Sequence, residues 1–277
     1  MRAAAHSAAG GRGPTELATA LRLEDRHATT VPETVAVEAP VAFVYNGIEH
    51  AVMMATPTDV EDFAVGFTLA EGIVGDADEI ASVAVSEVAQ GVRLDVAIPD
   101  ADARRLQRQR RNLAGRTGCG LCGVVGIDQA LRALPALPPG SPVAAAAIVA
   151  ALAALPESQV VNRRTGSVHA AAFAERDGTI VAVREDVGRH NALDKVIGAV
   201  ARSGRDPAQG FVVITSRCSM EMVQKAATVG VSLLVAISAP TSLAIDLAEG
   251  CGLCLVAFAR GESFNVYSHP ERVTAKA

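Results

Sequence analysis

Phe211-Val212-Val213-Ile214-Thr215-Ser216-Arg217-Cys218-Ser219-Met220-Glu221-Met222-Val223-Gln224-Lys225 is the stretch that decides the fold. A short apolar run leads through a polar turn into residues whose apolar positions, Met220, Val223 and Ala227, fall on one helical face. A continuous apolar run closed by a turn reads as a strand buried on both faces, followed here by a helix over 219–229. The unit recurs downstream. Val231 to Ile237 reads as a strand, Ser242 to Ala248 as a short helix, and Leu253 to Ala259 as another apolar strand. Upstream, a strand over 179–183 runs into Asp186 and a helix with Leu193, Val196, Ile197 and Val200 on its inner face. Alternating strands and helices predict an α/β layer with a largely parallel sheet.

The first half reads as α+β. Val41 to Tyr45 and Ile48 to Met53 flank Asn46-Gly47, a pair that favours the positive φ angles of a two-residue hairpin turn. Thr34 to Glu38 reads as a strand, and so does the alternating segment from Val92 to Ile98. Thr58-Asp59-Val60-Glu61 has the spacing of a capping box; behind it Val60, Phe63, Ala64 and Phe67 predict an amphipathic helix that Gly72 can end. Asp100 to Leu113 reads as an arginine-rich helix. Pro135 to Pro142 is the best boundary in the chain. The expected organisation is therefore a disordered tail over 1–28, a smaller hairpin-containing domain over 29–134, and an α/β domain over 143–277.

Composition narrows the function. With 277 residues, 50% of them hydrophobic, the chain can bury a sizeable core, and it exceeds the ~150 residues of one typical domain. The net charge of −5 and the 3% aromatic content, with no Trp, argue against nucleic-acid binding, which favours a basic domain or stacking rings. The opening residues lack the apolar core of a secretory leader, and no apolar run is long enough to span a membrane. A cytoplasmic, thiol-reducing setting is the expectation.

The five cysteines carry the strongest chemical signal. Four form two identical tetrads, Cys119-Gly120-Leu121-Cys122 and Cys251-Gly252-Leu253-Cys254. The first lies among Gly115, Gly118, Gly120 and Gly123, just after six arginines between Arg104 and Arg116. Such a pair suits a dithiol, half a zinc site or a persulfide carrier, and each of these uses the thiolate that nearby positive charge favours. Cys254 sits in the run from Leu253 to Phe258 and is expected to pack as a small hydrophobe, with Cys251 at the end of the preceding helix. A four-cysteine zinc site from both tetrads would make the chain a metal-binding scaffold, the rival reading.

Three strand-to-helix turns offer anion sites. Asp186-Val187-Gly188-Arg189-His190-Asn191 opens one helix, Thr215 to Met220 a second, and Ser238-Ala239-Pro240-Thr241-Ser242 a third. Helix N-termini after buried strands bind phosphates, although capping by Asp186 alone would also account for the first. Val168-His169-Ala170-Ala171 precedes another strand.

Taken together, these pieces resemble the formate dehydrogenase accessory sulfurtransferase family, the FdhD/NarQ group. The match rests on Glu61 to Phe67, Cys119 to Gly123, Val168 to Ala171, Glu185 to Lys195, Ser219 to Ala226 and Phe258 to Tyr267. The resemblance implies a cytidine-deaminase-like α/β/α C-terminal domain. It implies sulfur transfer from a cysteine desulfurase to the molybdenum or tungsten bis(molybdopterin guanine dinucleotide) cofactor, bound as substrate, before insertion into the formate dehydrogenase catalytic subunit. Cys119 matches the family's persulfide carrier, with Cys122 as its helper. Phe258, Ala259, Arg260, Gly261, Glu262 and Ser263 match its cofactor-binding stretch, to which Arg189, His190, Asn191, Ser219 and His169 are added as expected contacts. A homodimer is implied and no permanently bound metal. Deamination is not expected: the acid/base glutamate of the H-x-E motif is replaced in His169-Ala170-Ala171, and Ser216-Arg217-Cys218-Ser219 lacks the thiolate pair. The second tetrad departs from the family pattern.

Overall fold

The computed structural model describes residues 13–110 and 133–275. It corrects the expected tail at once. Strand β1 (Thr15–Glu24) pairs antiparallel with β2 (His27–Ala36) in a projecting ribbon. Its turn was not legible because Asp25 and Arg26 supply the positive φ angles, 45° and 68°, that glycine or asparagine usually signals. The Asn46-Gly47 hairpin forms as read, with φ of 47° and 81° between β3 (Ala39–Tyr45) and β4 (Ile48–Ala55). With β5 (Ser82–Val88) and β6 (Gly91–Ala97) these strands build a sheet in the order β4-β3-β6-β5.

Helix α1 (Val60–Ala70) covers that sheet, but the capping box is not made. Asp59 is the N-cap in the left-handed region at φ 52°, with no side-chain cap bond, and it lies 3.5 Å from Arg184. Nor is the helix amphipathic in the usual sense. Every residue but Glu61 is buried, because α1 is packed on both sides. Gly72 ends it at φ 63°, as expected. Helix α2 (Asp100–Arg110) follows β6, and the rest of its predicted length lies outside the described residues.

In the second half, β7 (Val143–Ala144) leads into α3 (Ala145–Ser158) and α4 (Val160–Thr165). Strands β8 (His169–Glu175) and β9 (Ile180–Asp186) precede α5 (Arg189–Arg202). Then β10 (Gly210–Ile214), α6 (Met220–Thr228), β11 (Leu233–Ala236), α7 (Ser242–Cys251), β12 (Cys254–Arg260) and β13 (Ser263–Val266) alternate as predicted, and β14 (Val273–Thr274) pairs with β7. The main sheet runs β13-β12-β11-β10-β8-β9. It is mixed rather than largely parallel: only β10–β11 and β11–β12 are parallel pairs. The reason is local, since tight turns at Gly178 (φ 90°) and Gly261 (φ 56°) make hairpins, and hairpins pair antiparallel. Because β9 through β12 all point one way, their carboxyl ends and the first residue of β8 share one edge. Among the described residues no helix is long and apolar enough to cross a membrane.

The expected linker, Pro135 to Pro142, has no regular structure, but the core is not divided there. One apolar cluster runs from Phe43, Phe63 and Phe67 through Leu193, Val196 and Ile197 to Leu234 and Leu255. A second, under α3, covers the other face of the main sheet. The two halves meet where α1 crosses α5 at Gly66 and Gly198. A Cβ added to Gly66 would stand 1.7 Å from the Asp194 carbonyl oxygen, and one on Gly198 1.8 Å from that of Asp62. Only glycine permits this approach. Around it, Lys195 pairs with Asp186 at 2.6 Å with both side chains fully buried, and Lys225 bridges Asp194 and Glu71 at 2.9 and 2.7 Å. Burial works against the charge on Lys225, but Asp194 and Glu71 outweigh it and hold its pKa above the usual lysine value.

An alanine at Gly66 or Gly198 is expected to destabilise the fold by roughly 3 kcal/mol in denaturant titration, because the backbones must separate. Helix propensity alone would predict a gain of ~1 kcal/mol, so the sign decides between the two effects.

Candidate functional site

Five segments meet at the carboxyl edge of the main sheet. They are His169 at the start of β8, and the β9–α5, β10–α6, β11–α7 and β12–β13 turns. Their backbones are stitched together. Ala170 N–H donates to Thr215 Oγ1 at 2.9 Å, and Thr215 N–H to the Ala170 carbonyl at 3.0 Å. Cys218 and Thr241 donate to the carbonyls of Ala239 and Cys218, both at 3.0 Å, and Phe258 N–H reaches the Ser238 carbonyl at 3.1 Å. The edge is therefore a fixed platform.

Two of the three expected anion-ready helix ends are open. The N-caps of α5 and α6, Gly188 and Ser219, make no side-chain cap bond. The third is closed, because Thr241 Oγ1 accepts from Ala244 N–H. Nor is Asp186 the cap of α5. It accepts from Gly188 N–H at 2.8 Å, Asn191 Nδ2 at 2.9 Å and Thr56 N–H at 3.0 Å while holding Lys195. Asn191 also donates to the Met54 carbonyl at 2.8 Å. Asn191 is thus committed to anchoring α5 against the first half of the chain, rather than presenting its amide to a ligand.

Between the two open helix ends lie buried polar atoms that make no hydrogen bond of good geometry among the described residues. Arg189 Nε, His190 Nε2 and Glu221 Oε2 are buried and make no hydrogen bond. Ser219 Oγ is buried without a bond of good geometry; burial works against the charge on the neighbouring Glu221, but Ser219, the Glu221 backbone N–H and Arg189 outweigh it and hold its pKa below the usual carboxylate value. Orphaned buried polar groups cost free energy unless something else satisfies them, so this cluster has the character of a ligand site. Burial, then the positive charges of Arg189 and Lys225, push the His190 pKa down to about 4. His169 is lowered too, by burial and by Arg189, with Asp186 opposing. His190 is therefore neutral at pH 7, the neutral form of His169 is favoured by the same burial, and Arg189 supplies the local positive charge. Glu221 was not among the residues picked from sequence. Its only signal there was its place in the first turn after Ser219.

The stretch from Phe258 to Ser263 forms the other end of the edge. Phe258 is 46% exposed and sits at φ 52°, a conformation a bulky residue adopts only when its surroundings force it. The force is a bulge between Ala257 and Arg260 that breaks the register with β13. Arg260, Gly261, Glu262 and Ser263 are exposed in the turn, while Ala259 is buried in the strand and faces the core instead. Strands β10 and β11 separate β8 from β12, so three inter-strand steps set His169 and Phe258 ~14 Å apart.

The tetrad Cys119–Cys122, with Arg111 and Arg116, lies outside the described residues. The other three thiols are placed. Cys254 is fully buried in β12, and burial pushes its pKa up to about 12; Cys218 reaches about 12 by burial and the nearby Glu221. Cys251, at the end of α7, is also raised, chiefly by burial. The packing role expected for Cys251 and Cys254 is what the structure shows.

The FdhD/NarQ family model matches residues 36–274. The sulfur carrier protein FdhD of Xanthomonas campestris pv. campestris (strain B100) is 50% identical over 264 residues, covering 94% of each chain. That of Cupriavidus necator is 45% identical over 246 residues, 89% of this chain and 85% of its own. A crystal structure described as a formate dehydrogenase accessory protein from Desulfotalea psychrophila superposes with a TM-score of 0.75 at 26% identity, covering 94% of this chain and 99% of that one.

The histidines make stability depend on pH. Unfolded, His190 takes up a proton near its ordinary value of 6.5; folded, it resists until about 4. The unfolded state binds more protons in that window, so stability falls as pH drops from 6.5 to 4, by on the order of 2 kcal/mol. In His190→Gln the loss between these pH values is expected to shrink by about that amount in denaturant titrations.

Proposed function

The chain belongs to the FdhD/NarQ family, and from that premise we propose that it is a sulfurtransferase that carries persulfide sulfur from a cysteine desulfurase to a molybdenum or tungsten bis(molybdopterin guanine dinucleotide) cofactor destined for formate dehydrogenase. The observation that carries this reading is the sorting of the five thiols. Sulfur carriage needs an accessible thiolate. Cys218, Cys251 and Cys254 are buried with raised pKa values, which leaves Cys119 and Cys122 for the chemistry.

In the proposed loading step, the Cys119 thiolate attacks the terminal sulfur of the donor's persulfide. A new S–S bond forms on Cys119, the donor's S–S bond breaks, and the donor cysteine leaves as thiolate. For delivery, the Cys122 thiolate attacks Cys119 Sγ. A Cys119–Cys122 disulfide forms, and the outer sulfur departs as hydrosulfide with the electron pair of the broken bond. The dithiol is thus the two-electron reductant, and a cellular thiol restores it.

The sheet edge supports a nucleotide-bearing substrate. Open N-termini of α5 and α6 with Arg189 suit phosphate, and the orphaned groups of His190, Ser219 and Glu221 suit a polar base or ribose. The ~14 Å to Phe258 leaves room for an extended ligand, with the exposed ring as an apolar contact. The order β9-β8-β10-β11-β12, with helices on both faces, supports the cytidine-deaminase-like reading of this half. A homodimer belongs to the same proposal. It is supported by the exposed Leu17, Leu21 and Leu23 on one face of the β1–β2 ribbon, since a lone two-stranded ribbon gains stability by being covered. A reducing cytoplasm suits the dithiol chemistry.

Incubation with a cysteine desulfurase and cysteine should add sulfur to Cys119, read by mass spectrometry of the intact chain and its peptides. Cys119→Ala should abolish the label and Cys254→Ala should retain it. Equal labelling in Cys119→Ala would refute the assignment.

A further inference from the structure

The opposite end of the molecule, away from the carboxyl edge of the main sheet, holds a groove. A half-open cavity of about 650 Å³ lies where the carboxyl ends of α1, α5 and α6 converge, floored by apolar side chains such as Val196, Val200 and Val231. It continues into a second hollow of about 380 Å³, which shares Phe173, Arg205 and Asp206 with the first. The two hollows adjoin through these shared residues, and together they offer more room than one side chain fills.

Its electrostatics are one-sided. Asp76, Asp78 and Asp206 line the first cavity and Asp177 the second, and none of them is in an ion pair among the described residues. The three arginines present are engaged. Arg105 donates to Asp102 and to the Gly72 and Ile73 carbonyls, Arg176 to the Ser141 and Ala208 carbonyls, and Arg205 lies 3.7 Å from Glu175. Helix carboxyl ends add partial negative charge independently of the side chains. The basic residues in the last turns do not offset it at the mouth, since Arg202 is held by Asp62 and Lys225 by Asp194 and Glu71. An apolar floor under an unneutralised negative rim is complementary to a cationic segment with an apolar anchor.

We propose that this groove docks the sulfur-donating protein through an extended basic peptide segment that places one apolar side chain on the Val196–Val200 floor. The identity of the partner rests on the sulfur-carrier reading above. Asp102 and Arg105 bring α2 into the wall of the same cavity. Donor docking and cofactor binding then occupy opposite edges of the sheet and do not compete.

The test uses the full chain and a cysteine desulfurase from the same genome. Asp78→Lys reverses an exposed rim charge, and Ala201→Trp fills the groove without changing charge. Calorimetric Kd for the desulfurase should rise at least tenfold in each variant, and sulfur loading from the desulfurase should fall in parallel. Loading of Cys119 from a small-molecule persulfide should proceed in both variants at the wild-type rate. A benzoylphenylalanine at position 201 should cross-link to a basic segment of the desulfurase. Unchanged Kd in both variants, or a cross-link only to a second copy of this chain, would overturn the docking proposal while small-molecule loading leaves the carrier role standing. Failure of the wild-type chain to load from either donor would overturn the carrier role itself, and the docking proposal with it.

Discussion

The contact between Gly66 and Gly198 is the constraint from which the rest of the architecture follows. Two helices that each lack a side chain at the crossing bring their backbones together, and each then places the other's polar residues in the interior. Asp62 of α1 reaches Arg184 and Arg202. Lys195 of α5 reaches Asp186 and donates to the Thr56 carbonyl at 2.8 Å. Such pairs cost desolvation energy and contribute little net stability, but removing one partner alone is expensive. They fix one register of α5 against α1 and so fix where α5 begins, which is where Arg189 and His190 stand.

Helix polarity then divides the molecule. The amino ends of α5 and α6 face one edge of the main sheet, and their carboxyl ends, with that of α1, face the other. The first edge gathers uncapped N–H groups, Arg189 and imidazoles whose pKa values are lowered by burial; the second gathers Asp76, Asp78 and Asp206, which make no ion pair among the described residues. A mean charge of −5 conceals this separation, and neither end could be inferred from composition.

Much of the second half was legible because buried strands leave continuous apolar runs, and the Asn46-Gly47 turn was legible because its chemistry is specific. What was missed has a common physical cause. The β1–β2 ribbon turns on Asp25-Arg26, which lacks the glycine or asparagine that marks such a turn, and its leucines, though on one face, are exposed rather than buried. The mixed sheet follows from two tight turns rather than from the strands themselves. The undivided core depends on a long-range glycine contact between residues that look unremarkable in sequence. At the site, the turns that carry Arg189, His190 and Ser219 stand at one sheet edge, as three strand-to-helix turns in sequence suggest, and His169 joins them at the start of β8. The Asn191 amide nitrogen is bonded within the protein and Ala259 is buried, and Glu221 enters only when its carboxylate oxygen without a hydrogen bond is seen.

We propose that the carboxyl edge binds the nucleotide ends of the sulfur acceptor. Hydrogen–deuterium exchange of the full chain, with and without guanosine diphosphate as the probe for those ends, tests it most directly. Slowed exchange is expected in the first turns of α5 and α6 and in the β12–β13 turn, with α3 and the groove at the carboxyl ends of α1, α5 and α6 unchanged. Protection confined to other segments, or none at saturating nucleotide, would contradict it.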